Sequence, residues 1–280
     1  MLNRQRILVE LLRSAGRPLC RIELVKWAFV LRHETPSGGG SAFYEFLPFK
    51  QGPYSFNLKR EIDGLVHAGS VIDADGHWAA QEKFLISGRE SGDVARIAGR
   101  FRDLDIDALL NYVYRQHPEY TVNSDVERLA ERPVAEPAIF TAGYEGLQVD
   151  AFLNRLIRAG IRRLVDVRHN PIARRYGFHK STLSNLSEQV GIEYVHIPEL
   201  GIPSADRAGL DVTVTRSDLF ARYERERLPM QKSAVTSLAE SMREKPSVLV
   251  CMEGAPCECH RSRLADLLAV RTGLPVIHLD

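Results

Sequence analysis

Downstream of residue 137 the chain alternates short apolar runs with amphipathic stretches, and this rhythm constrains the fold more than any other feature. Residues 137–142, 163–167, 192–197, 247–250 and 276–279 have the length and β-branched content of strands. Between them, residues 149–159, 180–190, 219–227, 234–243 and 261–271 have helical periodicity; Phe152, Leu156 and Ile157 share one face of the first. Ser181 is a candidate cap for the second. Strands separated by helices need crossover connections, which build a mainly parallel sheet with flanking helices. The expected class is α/β.

The upstream part has a different rhythm. Residues 131–137 carry Pro133 and Pro137 without periodicity and are expected to be a linker between domains at 1–130 and 138–280. Ile7, Leu8, Leu11 and Leu12 form a helical stripe that Gly16 and Pro18 end. Residues 22–31 predict a second helix, 42–49 a strand, and 57–68 a third helix after a turn at Gly52, Pro53, Tyr54 and Ser55. Residues 70–72 and 77–79 around Asp75 and Gly76 predict a hairpin. Three helices and then a hairpin is the order of a winged helix, so an α-rich, winged-helix-like domain is expected. Its third helix carries Lys59 and Arg60, candidate contacts to a nucleic-acid backbone. The competing reading is a solvated helix face in a protein-interaction module. Residues 82–123 predict further helices, including 106–114.

Charge narrows the partners. Lys plus Arg total 37 against 36 for Asp plus Glu, so no global field recruits nucleic acid or a membrane surface, and any such contact needs a local patch. No apolar run approaches the ~20 residues of a membrane span, and residues 1–6 lack an apolar signal core. The expected location is cytoplasmic, with the four cysteines as thiols or metal ligands before disulfides.

Polar cargo follows each predicted strand. Gly143, Tyr144, Glu145 and Gly146 follow the first; Asp166, Arg168, His169, Asn170 and Pro171 the second, with Arg174 and Arg175 beyond; Pro198, Glu199, Leu200 and Gly201 the third. After the fourth, Cys251, Glu253, Cys257, Glu258, Cys259, His260 and Arg261 fall within eleven positions, a mixture no core requires. In a parallel sheet all these ends share one edge, where α/β ligands bind. Glu145, Asp166, Glu253 and Cys259 are the candidate catalytic groups. Tyr144, Arg168, Arg174, Arg175, Glu199, His260 and Arg261 are the candidate substrate contacts, with the two motif arginines as a bidentate anion clamp. The competing reading pairs Arg168 with Asp166 and Arg261 with Glu253 as a buried network. Cys251, Cys257, Cys259 and His260 are zinc-compatible, but Cys-x-Cys-His is tight for one tetrahedral ion. No metal and no cofactor are expected.

These motifs also carry a resemblance. Residues 139–280 resemble the family called domain of unknown function 488 (DUF-488). The resemblance rests on Gly143 to Gly146, Asp166 with Arg168 and Pro171, Tyr194 with Glu199 to Gly201, Cys251 with Glu253, and Cys259 to Arg261. It implies an α/β domain with these motifs clustered, and no chemistry. The extra Cys257 and the added upstream domain depart from the pattern. Residues 5–75 loosely resemble winged-helix modules of the Panacea-like or YwgA-like kind.

The functional expectation is an enzyme, a hydrolase or glycosylase, acting on a nucleotide-like or nucleic-acid substrate, with the winged helix targeting it to DNA or RNA. The alternative is a non-catalytic DNA-binding regulator whose α/β domain senses an anionic small molecule.

Overall fold

The computed structural model describes residues 1–207 and 215–279, and the chain divides into two compact units, Met1–Glu131 and Arg132–Asp280.

The first unit contains α1 (Asn3–Ala15), β1 (Leu19–Cys20), α2 (Arg21–Glu34), β2 (Leu47–Phe49), β3 (Gly52–Tyr54), α3 (Phe56–His67), β4 (Val71–Ala74), β5 (His77–Ala80), α4 (Gly88–Phe101) and α5 (Ile106–Gln116). The predicted stripe of α1 is buried, and α2 is buried along its whole middle, from Glu23 to Leu31. A helix apolar all round belongs in the centre of a core. Ser55 caps α3 by accepting from the Leu58 amide at 3.2 Å. The hairpin β4–β5 forms an antiparallel sheet with β1, in the order β1-β5-β4.

One expectation here needs correction. Only Leu47–Phe49 of the aromatic stretch 42–49 is strand, and it pairs with Gly52–Tyr54, which the sequence suggested was a simple turn. Phe43 and Tyr44 are fully buried in irregular backbone, and the Tyr44 hydroxyl donates to Glu61 at 2.8 Å. Their aromatic character reflects core burial, which in a short run imitates a strand signal.

The second unit contains β6 (Ile139–Gly143), α6 (Val149–Arg158), β7 (Arg163–Asp166), α7 (Lys180–Gln189), β8 (Glu193–His196), α8 (Arg216–Arg222), α9 (Leu228–Met230), α10 (Lys232–Glu244), β9 (Ser247–Cys251), α11 (His260–Thr272) and β10 (Val276–Leu279). All five strands are parallel, in the order β10-β6-β9-β7-β8. The central strands β6 and β9 are buried along their full length, as expected for a sheet covered on both faces. Ile139, Val165 and Leu249 pack with Leu219, Val235, Leu238, Leu264 and Leu268 of α8, α10 and α11. The helix α7 starts one residue before the expected cap: His179 holds the N-cap position and Ser181 lies inside the first turn. Residues 132–137 are irregular and tied to the second unit. Arg132 donates to the Val190 carbonyl at 2.6 Å, and the Ala135 amide to that of Gly160 at 3.3 Å.

The strand order creates a switch point. From β7 the chain leaves toward β8, whereas from the neighbouring β9 it leaves the other way, across β6 to β10. Diverging exits of this kind mark the usual ligand position in open α/β sheets, at the carboxyl ends of the strands. No helix among the described residues is long and apolar enough to cross a membrane.

Candidate functional site

The loops leaving β6 and β9 are knit together. The amides of Tyr144 and Glu145 donate to the Met252 carbonyl at 3.2 and 2.9 Å, and the Gly254 amide donates to Glu145 Oε2 at 3.0 Å. Residue 143 must be glycine, because a Cβ there would lie 1.9 Å from the Glu253 carbonyl oxygen.

At the end of β7, Asp166 is fully buried and Arg168 is 6% exposed. Arg168 Nε donates to Asp166 Oδ1 at 2.8 Å and Nη2 to Oδ2 at 2.5 Å. Its Nη1 donates to the Tyr144 hydroxyl at 2.7 Å and to the Phe178 carbonyl at 2.9 Å. The Tyr194 hydroxyl donates to Asp166 Oδ2 at 2.7 Å. Burial works against the Arg168 cation, but the hydrogen bonds and charge of Asp166 outweigh it and hold the guanidinium protonated well above its ordinary range. Burial likewise raises the Tyr144 hydroxyl, despite the nearby Arg168. Tyr144 stacks on Phe178 with ring centroids 4.1 Å apart. From β8, His196 Nε2 donates to the Arg168 carbonyl at 2.9 Å. Gly201 admits the backbone of the β7 loop: a Cβ there would lie 2.2 Å from the His169 nitrogen.

At the end of β9, a short turn at Pro256–Glu258 brings the chain back to the start of α11. Cys251 Sγ, Cys259 Sγ and a His260 ring nitrogen lie within 4.8 Å of one another, all three residues buried. Burial pushes the Cys259 thiol far up, and its contact with Cys251 adds to the shift while His260 opposes it. Arg261 is fully buried; Nη1 donates to the Glu253 carbonyl at 2.5 Å and Nη2 to that of Gly254 at 2.7 Å.

The expected groups therefore separate by depth. Asp166, Arg168, Tyr144, Cys259, His260 and Arg261 are buried behind the edge, and the two arginines are engaged by protein groups. The geometry gives the expected anion clamp an internal occupation: Asp166 holds one arginine, and backbone carbonyls hold the other. Cys259 is likewise a buried thiol with a raised pKa, the opposite of an activated thiolate. Glu145, His169, Arg174, Arg175 and Glu199 are exposed, and Glu253 is half-buried. Arg175 Nη1 donates to the Leu147 carbonyl at 2.6 Å. Glu253 accepts from the Cys251 thiol at 3.1 Å and borders a cavity of about 200 Å³ with Ile202, Arg216, Leu219, Phe220, Glu258, Cys259 and His260.

Sequence reasoning missed Phe178 as the stacking partner of Tyr144, and Tyr223, whose ring meets the His260 ring edge-on at 5.5 Å. Both arrive from distant segments without a local motif. Of the four zinc-compatible residues, Cys257 is exposed and outside the cluster, which Cys251, Cys259 and His260 form.

In the first unit, Lys59 is ion-paired with Asp63 one turn later on α3, and Arg60 is exposed. The hairpin tip beyond α3 presents Asp73 and Asp75.

A family model described as Domain of unknown function DUF488 matches residues 148–268, less than half of the chain. The match takes in the motifs at Asp166 and Arg168, Tyr194, Glu199 to Gly201, Cys251 and Glu253, and Cys259 to Arg261. Gly143 to Gly146 lie just outside it. The chain has no match among curated proteins or among solved structures.

Proposed function

We propose that the second unit is an enzyme that hydrolyses a nucleotide-like group, free or within nucleic acid, in a crevice at the carboxyl edge of its sheet, where β6 and β9 end. The observation that carries this reading is the placement of two accessible carboxylates, Glu145 and Glu253, at adjoining strand ends over a rigid buried scaffold. Either carboxylate is suited to move a proton to or from a water or leaving group at this edge. The exposed Arg174 and Arg175, on the loop after β7, are the cations positioned for a phosphate. Asp166, Arg168 and Arg261 then act as positioning residues that hold the loops in place.

The first unit is the targeting module in this reading. Support comes from the helices α1, α2 and α3 followed by the hairpin β4–β5, with β1 paired to β5, as in winged helices, although the small hairpin β2–β3 is inserted between α2 and α3. The Lys59–Asp63 pair and the acidic hairpin tip weaken the backbone attraction of α3, so any nucleic-acid contact is modest and salt-sensitive. The reading places the protein in the cytoplasm, where its cysteines stay reduced.

A binding-only sensor of an anionic ligand is the second reading, favoured by the exposed Arg174 and Arg175 on the loop after β7, two cations open to an anion. Incubation with nucleotides, single-stranded and duplex DNA, and RNA separates the two. Enzyme action yields a product by mass spectrometry, whereas sensing yields a thermal shift without one.

A further inference from the structure

Cys251, Cys259 and His260 form a group that the hydrolytic reading leaves unused. The chain assembles it with care. Cys251 is the last residue of β9, Cys259 is the N-cap of α11 and His260 its first residue. Arg261 donates to the carbonyls of Glu253 and Gly254, which closes the loop that brings Cys259 back to Cys251.

The imidazole is oriented as a ligand. His260 Nε2 lies 3.1 Å from the Val167 carbonyl, an acceptor only, so Nε2 carries the proton and Nδ1 presents its lone pair. Metal-bound histidines are commonly held this way, with the second nitrogen donating to a carbonyl. Nδ1 lies 3.8 Å from Cys251 Sγ and 3.7 Å from Cys259 Sγ. Two sulfurs and a nitrogen around a tetrahedral zinc, at about 2.3 and 2.0–2.1 Å from the ion, stand roughly 3.6 Å apart between sulfur and nitrogen. Each sulfur is thus within a few tenths of an ångström of the required separation from the nitrogen, and the two sulfurs lie within 4.8 Å of each other. Tyr223 fixes the ring from the side: it meets the imidazole at 83°, and its own hydroxyl donates to the Leu200 carbonyl at 2.7 Å.

We propose that Cys251, Cys259 and His260 bind one thiophilic divalent ion of the zinc class, with the fourth position open toward the cavity beside Glu253. Two sulfurs and one imidazole select zinc over hard cations such as magnesium or calcium. Two of the three ligands, Cys259 and His260, line a cavity, and three protein ligands with a vacant side is the arrangement of an open site. Both cysteines bind as thiolates, so loading releases two thiol protons to solvent. The ion replaces the expectation of a metal-free cluster, and its presence does not depend on which substrate the crevice takes.

The test uses the full chain, purified under a non-chelating reductant and supplied with zinc. Elemental analysis after desalting is expected to give one zinc per chain. Exchange with cobalt is expected to give thiolate-to-metal charge-transfer absorption and the visible bands of a tetrahedral centre. Cys251→Ser and Cys259→Ser are expected to lose stoichiometric loading, while Cys257→Ser, the exposed neighbour, keeps it. Because a buried variant can fail to fold, the wild-type cobalt spectrum and the Cys257→Ser stoichiometry stand as readouts that need no core substitution. Substoichiometric zinc in the wild type, an octahedral cobalt spectrum without charge transfer, or a Cys251–Cys259 disulfide formed equally fast with and without zinc would each overturn the proposal. None of these readouts involves substrate, so a failed activity screen leaves them intact.

Discussion

Arg168 grips the carboxylate of Asp166, two residues earlier on the same strand end, with Nε on one oxygen and Nη2 on the other. Both residues are buried, so the pair is an internal brace between the ends of β6, β7 and β8, reached through the hydroxyls of Tyr144 and Tyr194. Removing one partner of a buried pair leaves the other charge uncompensated, at a cost of about 3–5 kcal/mol. Asp166→Asn is therefore expected to destabilise the second unit by that order. Both tryptophans, Trp27 and Trp78, lie in the first unit, so the measurement is hydrogen exchange on peptides from residues 139–279. Unchanged protection there would contradict the brace.

Arg261 differs from Arg168 in having carbonyls rather than a carboxylate as partners. Arg261→Lys keeps the charge but cannot reproduce the planar fork on two carbonyls. Hydrogen bonds to a charged group are worth about 1.5–3 kcal/mol each, and the variant is expected to lose that order of stability. The loss should appear as faster exchange in residues 252–258. Slow, wild-type exchange in that loop would show that Arg261 does not close it.

Gly143→Ala places a methyl where the Glu253 carbonyl oxygen already stands. Neither backbone can move without breaking the Tyr144 and Glu145 amide bonds to Met252. A cost of at least about 1–3 kcal/mol follows from overpacking. Thermal unfolding of the variant is expected at a clearly lower temperature, and an unshifted midpoint would contradict the close approach.

Lys26 provides a pH test of the first unit. Its ammonium is 2% exposed and donates to the Gln51 and Pro53 carbonyls at 2.5 and 2.8 Å, and burial lowers its pKa from 10.5 to about 7. Between pH 7 and 10.5 the unfolded chain carries the proton and the folded chain does not. Stability therefore rises with pH in that window, by at most about 1.4 kcal/mol per unit. Lys26→Met lacks the group, so the stability of the wild type relative to the variant is expected to grow from pH 7 to pH 10. Urea unfolding followed by tryptophan fluorescence reads this directly, and parallel pH profiles would contradict it.

Much of the second unit was legible because its signals are local. The period of the apolar runs gave every strand of the parallel sheet, and the polar residues after each strand marked its carboxyl edge. The roles of Arg168 and Arg261 were not legible, because a motif gives residue type without depth. Whether a guanidinium faces solvent or a buried carbonyl depends on how the loop 252–258 folds back, and no periodicity records that. The Cys251–Cys259–His260 cluster was obscured for the same reason. The sequence offered Cys251, Cys257, Cys259 and His260 alike, and only the turn at Pro256–Glu258 separates them, exposing Cys257 and returning Cys259 to Cys251. In the first unit, Phe43 and Tyr44 imitated a strand because buried aromatic residues in a loop carry the same composition.

The most direct test of the proposed hydrolytic crevice is turnover by Glu253→Gln, which keeps the shape of the side chain and removes its ability to take a proton. On the panel member that the wild type converts, product formation by the variant is expected to slow about 10²- to 10⁴-fold, with thermal stability close to that of the wild type. Equal turnover by Glu253→Gln and the wild type, or a wild type that converts none of the nucleotides, DNA or RNA, would contradict the account.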